Sequence, residues 1–583
     1  MKHALLLVFL AAQQFPLAVA MAQTKLPPSA RAIFLDAEQA RMIKAKTETA
    51  PVKPRLTPVL DGDGVPVDQA VQSVAPDVGA LSWTFDVPHA GRYLATLEFS
   101  HRRHGNAFEL SCGQQTLTGY VPDTRGSLAL FEVGVMDLAA GPQTLTLRNT
   151  KTVEKTWMAV GSIYLRPVAQ HAITKPQIRA VIAKMKPHKL PTELLVPVVF
   201  SDHMVLQRDM PVPIWGRAAP GADISVKFAG QTKEARTDAA GRWMVKLDPL
   251  KAGGPFELEV SDGSKTTRFT DVLVGEVWFG SGQSNMEVAV KFLPRWAKPN
   301  AQFECDEDTK QLLEAGAHPQ IRISAVTRDH NKTPAWFALT AENCLKAPAL
   351  MSCAAVLLRQ HLNVPIGIIV RCESSSTSGI WLSRDTVESD AEIQRQLREY
   401  AQTEYPQLLA AYPARLKAWE VAVAKAKADG QREPGKPSAP ALPGGFPLWF
   451  YSEGRFEHYG ANYPARIANV APFAMRGIVW DQGESGTGIA GANQSAVMPA
   501  LVTSWRAAWG QGDLPFIYID KKNFTATHHK ALAALPNTAR ADHHGLSTIN
   551  HPPDKAAYAR RIVEQMLEKV YNLPRPSGSR APQ

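Results

Sequence analysis

Three short blocks of this chain carry side chains of the kinds used in nucleophilic catalysis. The first is VLVGEVWFGSGQSNMEVAV, residues 272–290. An apolar run ends there at Phe279, Gly280 and Gly282 flank a turn that holds Ser284, and a helix-forming run starts near Asn285. A hydroxyl on a strand-to-helix turn stands at the carboxyl end of a sheet. The first amides of the helix then point at any oxyanion formed beside it. The same position also suits a helix cap. The second block, MRGIVWDQGESG, residues 475–486, follows another apolar run and puts Gln482 and Glu484 where the chain leaves the sheet. A carboxamide there can donate to an oxyanion and Glu484 can hold the group in place, or Gly483 simply centres a polar turn. The third block, NHPPDKAAYARR, fixes the backbone after His551 with two prolines. Imidazole titrates near neutrality and is the natural base for a serine hydroxyl. A lone histidine also serves structure. Serine, glutamine and histidine, each at the rim of one sheet, make a hydrolytic site the stronger expectation.

The rim requires a parallel sheet. Val272–Phe279, Pro365–Val370, Met475–Trp480 and Leu514–Ile519 read as buried strands with helix-like stretches between them. That rhythm predicts an α/β domain over residues 273–573. Its helical insert at 385–446, rich in Ala, Glu, Gln and Lys, reads as two helices followed by an extended connector, DGQREPGKPSAPALPGG. After His551, the spacing of Ala559, Ile562, Val563, Met566, Leu567 and Val570 predicts a last helix with one buried stripe. Upstream the period is two. Leu81-Ser-Trp83-Thr-Phe85-Asp-Val87 and Tyr93-Leu-Ala95-Thr-Leu97-Glu-Phe99 alternate apolar and polar residues. Residues 55–168 therefore read as a jelly-roll-like β-sandwich, after a polar lead over 23–54. DVPHAGRYLATLEFS within it resembles jelly-roll carbohydrate-binding modules. A sandwich that binds no sugar fits the pattern equally. Residues 169–192 are basic and Pro-punctuated, a linker. A smaller β-sandwich is expected over 193–272, and a disordered tail over 574–583.

Composition sets the class. The chain has 583 residues, 45% hydrophobic and 20% charged, with 39 Gly and 44 Pro, too long for a single core and unlike a disordered chain. The net charge is +10, but no dense basic run interleaves with aromatics, which argues against nucleic acid as a partner. Lys2 and His3, the apolar run Ala4–Ala12 and the small residues Ala18, Ala20 and Ala22 form a secretory signal peptide, residues 1–22. Periplasmic or extracellular export is expected. No other stretch reaches the length of a membrane span. Five cysteines show no metal-ligand spacing, and one or two disulfides are open after export.

With these blocks in hand, the chain resembles the sialate O-acetylesterase family of SGNH hydrolases. VPVVFSDHMVLQRDMPVPIWG is similar to that family's sandwich opening and GEVWFGSGQSNME to its nucleophile block. MRGIVWDQGESG, LPFIYIDKKNF and HPPDKAAYARRI continue the likeness, which covers residues 195–570. The resemblance implies a flavodoxin-like SGNH domain and hydrolysis of O-acetyl esters on sugars, with no metal or organic cofactor. Carried over by position, Ser284 is the nucleophile, His551 the general base and Gln482 an oxyanion donor beside the Ser284 amide, with Glu484 in support. The partner implied is an acetylated glycan, sialic acid or a polysaccharide. The sequence sets no oligomeric state.

Two positions depart from the family pattern. An acid is expected two or three residues before His551, where Ile549 and Thr548 stand. Asp554 is expected to cap the last helix instead, which leaves Asp542 or a backbone carbonyl to orient the imidazole. In serine proteases, loss of that acid's charge costs roughly 10⁴ in kcat. Ser374 and Ser375 stand where the family has two glycines, within RCESSSTSGIW. Ser374 still offers an oxyanion amide, but glycine there marks a positive φ or a close approach that serine accommodates poorly. Cys372 and Glu373 are further departures. They leave a second reading open, a diverged homologue that binds glycan and catalyses weakly.

Overall fold

A computed structural model describes residues 33–36, 41–44, 56–60, 66–71, 78–100, 106–121, 129–151, 159–167, 191–293, 309, 318–326, 335–435, 437, 440–441, 459–460, 462–482, 485–520, 524–542, 546, 551–552 and 554–574. The signal segment, residues 169–190 of the linker, Cys305, Glu484, the end of the helical insert and residues 575–583 of the tail lie outside them.

The alternating strands of the amino-terminal part form two antiparallel sheets. One runs Leu56–Leu60, Pro66–Val71, Ala159–Pro167, Gly91–Ser100, Ala129–Leu138, with Ile33–Asp36 beside Ala159–Pro167. The other runs Arg41–Lys44, Val78–Val87, Gly141–Lys151, Asn106–Cys112, Gln115–Val121. Period two sends Trp83, Leu110, Leu145 and Leu147 from one sheet against Tyr93, Leu97, Phe99 and Ile163 from the other, in one apolar core. The polar lead is corrected here. Ile33–Asp36 and Arg41–Lys44 are strands, one in each sheet. Runs of four residues are too short for their period to show.

In the next part, Val212–Arg217 pairs with Arg242–Leu247, and Gln231–Arg236, Asp223–Phe228 and Gly253–Ser261 lead into one long strand, β1 (Thr266–Gly282). Its first half pairs antiparallel with Gly253–Ser261. Its second half is the central parallel strand of the α/β sheet. The division at residues 272 and 273 thus falls inside a strand. Gly275 marks the change of neighbours, where a Cβ would collide with the Pro365 carbonyl.

The α/β sheet adds β2 (His318–Val326), β3 (Trp336–Leu339), β4 (Ile366–Cys372), β5 (Gly477–Asp481), β6 (Phe516–Ile519) and β7 (Thr538–Ala541). The order is β3-β2-β4-β1-β5-β6-β7, parallel except for β3. Strand alternation sorts the apolar residues to two faces. Phe279, Ile478, Trp480 and Phe516 join one core, while Trp278, Val479, Ile517 and Ile519 join another. Helices α1 (Ser284–Glu287), α2 (Ala349–Leu362), α3 (Arg384–Ser389), α4 (Ala391–Gln402), α5 (Glu404–Ala428), α6 (Gln494–Trp509), α7 (Ala526–Ala533) and α8 (Lys555–Lys569) complete the part. α2 and α8 cover one face, α6 the other. The insert holds three helices, α3 to α5, where the sequence indicated two.

Chain order moves from β4 on one side of β1 to β5 on the other. The carboxyl end of β1 is therefore the topological switch point, where open α/β sheets bind ligands.

Candidate active site

The chain leaves β1 through Gly282, at φ +132°, where a side chain would strike the Asp481 carbonyl. Ser284 is the first residue of α1 and is 6% exposed. Its Oγ lies 2.9 Å from His551 Nε2, across 267 residues of sequence.

The single turn of α1 is tied down on every side. Gln283 donates its N–H to the Asp481 carbonyl at 3.0 Å, and its Oε1 accepts from Ser485 Oγ at 3.2 Å. Asn285 Oδ1 accepts from Lys555 Nζ at 2.8 Å. Glu287 Oε2 accepts the Ser374 N–H at 2.6 Å and the Ser374 hydroxyl. The nucleophile turn thus holds the ends of β4 and β5 and the start of α8 together.

Two sequence-derived roles need correction. The Ser374 N–H, expected to face an oxyanion, is engaged by the Glu287 carboxylate. The Gln482 amide, expected to do the same, donates to the carbonyls of Ser376 at 3.1 Å and Gly486 at 3.2 Å. Both side chains fix loops around Ser284. Asp554 occupies the N-cap position of α8, but its side chain makes no cap hydrogen bond. The Ala556 N–H instead reaches Thr309 Oγ1 at 3.1 Å, 247 residues away.

The serine pair after β4 behaves unequally. Ser375 takes φ +62°, the left-handed conformation that a glycine adopts freely. Ser376 Oγ accepts from Trp381 Nε1 at 3.1 Å and donates to the Gly282 carbonyl at 3.3 Å. Glu373 meets Arg466 at 3.4 Å. Arg466 also donates to the Cys372 carbonyl at 3.1 Å. Burial, then the nearby Glu287 charge, pushes the Cys372 thiol well above its usual value. Cys112, Cys344, Cys353 and Cys372 are all buried.

Glu287, Thr309 and Lys555 escaped the sequence reading. Lys555 alone left a signal: at spacings of four, three and four it lies on the helical face of Ala559, Ile562 and Met566. The other two act through tertiary contacts that no local spacing encodes.

No family model matches the chain. Its sequence is similar to curated sialate O-acetylesterases. The mouse protein is 29% identical over 214 residues, 32% of this chain and 37% of its own length. The human protein is 25% identical over 340 residues, 54% of this chain and 53% of its own. The chain thus spans about half, or less, of the curated relatives it matches. Among solved structures, a carbohydrate acetylesterase from Xanthomonas citri aligns at 24% identity, covering 65% of this chain and 76% of that one with a TM-score of 0.46.

Proposed function

We propose that the protein, similar in sequence to sialate O-acetylesterases, hydrolyses O-acetyl esters of carbohydrates with Ser284 as nucleophile. The observation that carries this reading is the 2.9 Å contact of Ser284 Oγ with His551 Nε2 at the switch point of the sheet. The fold reading is an SGNH-type hydrolase domain after a small β-sandwich, with a larger β-sandwich ahead of both. The chain's first residues support export.

His551 Nε2 takes the hydroxyl proton as Ser284 Oγ attacks the acetyl carbonyl. The negative oxygen of the tetrahedral intermediate rests against the Ser284 amide, because the first amides of a helix have no partner within it. The intermediate collapses, His551 protonates the departing sugar oxygen, and the acetyl group stays on Ser284. Water, deprotonated by His551, then releases acetate and restores the serine.

Engagement of Ser374 and Gln482 favours one second reading, a glycan-binding homologue of low turnover. Hydrolysis of p-nitrophenyl acetate separates the two. Ser284→Ala and His551→Ala are each expected to lower kcat by about 10⁴-fold or more. Turnover in Ser284→Ala equal to that of the wild type would remove the esterase reading. Acetate release from O-acetylated sialic acid against acetylated xylan then identifies the sugar.

A further inference from the structure

Lys555 sits where stability alone would not put a lysine. It is the first residue of α8, at the positive end of the helix dipole, and is only 2% exposed. Burial strips water from its ammonium, and the helix terminus repels it. The face it occupies is the apolar stripe of α8, where an aliphatic side chain would pack without either penalty. Its Nζ lies 5.9 Å from the Tyr558 ring centroid and donates to Asn285 Oδ1 at 2.8 Å.

Asn285 directly follows the nucleophile, and Lys555 comes four residues after His551. Two hydrogen bonds therefore run side by side between the same two segments, Ser284 to His551 and Asn285 to Lys555. One bond fixes a distance and leaves rotation free. A second bond beside it fixes orientation. Misplacement of reacting groups by 1 Å can cost on the order of 10² in rate.

We propose that Lys555 is a positioning residue: through Asn285 it holds the nucleophile turn in register with the segment that carries His551. This rests on the serine-esterase reading above.

The test uses the full chain and three readouts: the rate of labelling by a fluorophosphonate probe, kcat and KM for p-nitrophenyl acetate, and Tm. In Lys555→Met, kcat and labelling are expected to fall together by about 30–100-fold, with KM within about threefold of wild type. Tm is expected to change little, because relief of both penalties offsets loss of the hydrogen bond to Asn285. Lys555→Arg, which still donates to Asn285, should recover most of the lost rate. Asn285→Ala should reproduce the loss, and the double variant should add little to it. A folded Lys555→Met with wild-type kcat overturns the proposal, as does a rate loss matched by an equal loss of folded protein. If Lys555→Met does not fold, wild-type kcat in Asn285→Ala overturns it. Equal labelling of wild type and Ser284→Ala overturns the serine reading itself, a result distinct from any of these.

Discussion

Ser375 holds φ +62° on the loop that leaves β4, one residue from the Ser374–Glu287 contact. A left-handed conformation costs a non-glycine residue about 1–2 kcal/mol. Ser375→Gly removes that strain but loosens the unfolded chain, which returns about 0.4–1 kcal/mol. The expected gain is about 0.5–1 kcal/mol, read as a higher urea midpoint at unchanged slope. Gln482 gives the opposite kind of prediction. Its amide joins Ser376 and Gly486. Gln482→Ala should cost about 1–3 kcal/mol of stability. In kcat it should cost less than tenfold, against the roughly 10²–10³ expected for loss of a direct oxyanion donor. The contrast shows what the sequence carried at this scale. Ser284 and His551 were legible because glycines and prolines punctuate the backbone beside them. The partners of Ser374 and Gln482 were not, because Glu287 and two loop carbonyls reach them only in the folded chain.

Among the elements, β1 does the most to place the site, and the start of its parallel half is anchored by charge. Glu276, with no exposed side-chain surface, meets Arg208 Nε at 2.6 Å and Arg476 Nε at 2.7 Å. It also accepts from Gln207 Nε2 and Tyr571 Oη, each at 3.1 Å. Burial, then the Glu276 charge, pushes the Tyr571 phenol well above its usual value. Glu276→Gln leaves two guanidinium groups facing a neutral amide. Removing one partner of a buried pair costs about 3–5 kcal/mol. The expected result is that loss in urea unfolding, with little change in kcat for enzyme that remains folded, because the carboxylate lies at the start of the parallel half of β1, eight residues before Ser284. The apolar runs of β1, β4, β5 and β6 were legible, since strands buried on both faces read as continuous hydrophobic stretches. β7, Thr538-Ala-Arg-Ala541, was not: it is short and half polar, and it is a strand because it pairs with β6. The extended connector after α5 was read as such. Trp419 donates to the Pro434 carbonyl, Tyr412 to Pro437 and Tyr400 to Ala441, so the connector lies back along the helices that precede it.

Cooperativity at the scale of the whole molecule follows from how the cores divide. The amino-terminal sheets enclose a core of their own, from Leu35 to Leu165. A different core runs without a break from Leu194 and Trp215 in the small β part to Phe279, Trp480 and Trp505 on the α/β sheet. Stability is therefore shared between the small β part and the α/β sheet, although the sequence rhythm changes between them. Period two gave way to apolar runs near residue 273, and that change reflects new neighbours for one strand, β1, rather than a new folding unit. Truncation tests this directly. A chain beginning at residue 191 keeps β1 whole and is expected to unfold in one transition, with p-nitrophenyl acetate turnover within about threefold of the full chain. A chain beginning at residue 273 cuts β1 and strips Val205, Ile214, Trp215 and Phe228 from the core behind Phe279. Losing several large buried side chains at about 2–5 kcal/mol each exceeds the 5–15 kcal/mol that holds a domain together. The shorter chain is expected to be unfolded or insoluble. A soluble, active chain from residue 273 would show that the α/β part is stable alone and that the shared core contributes little.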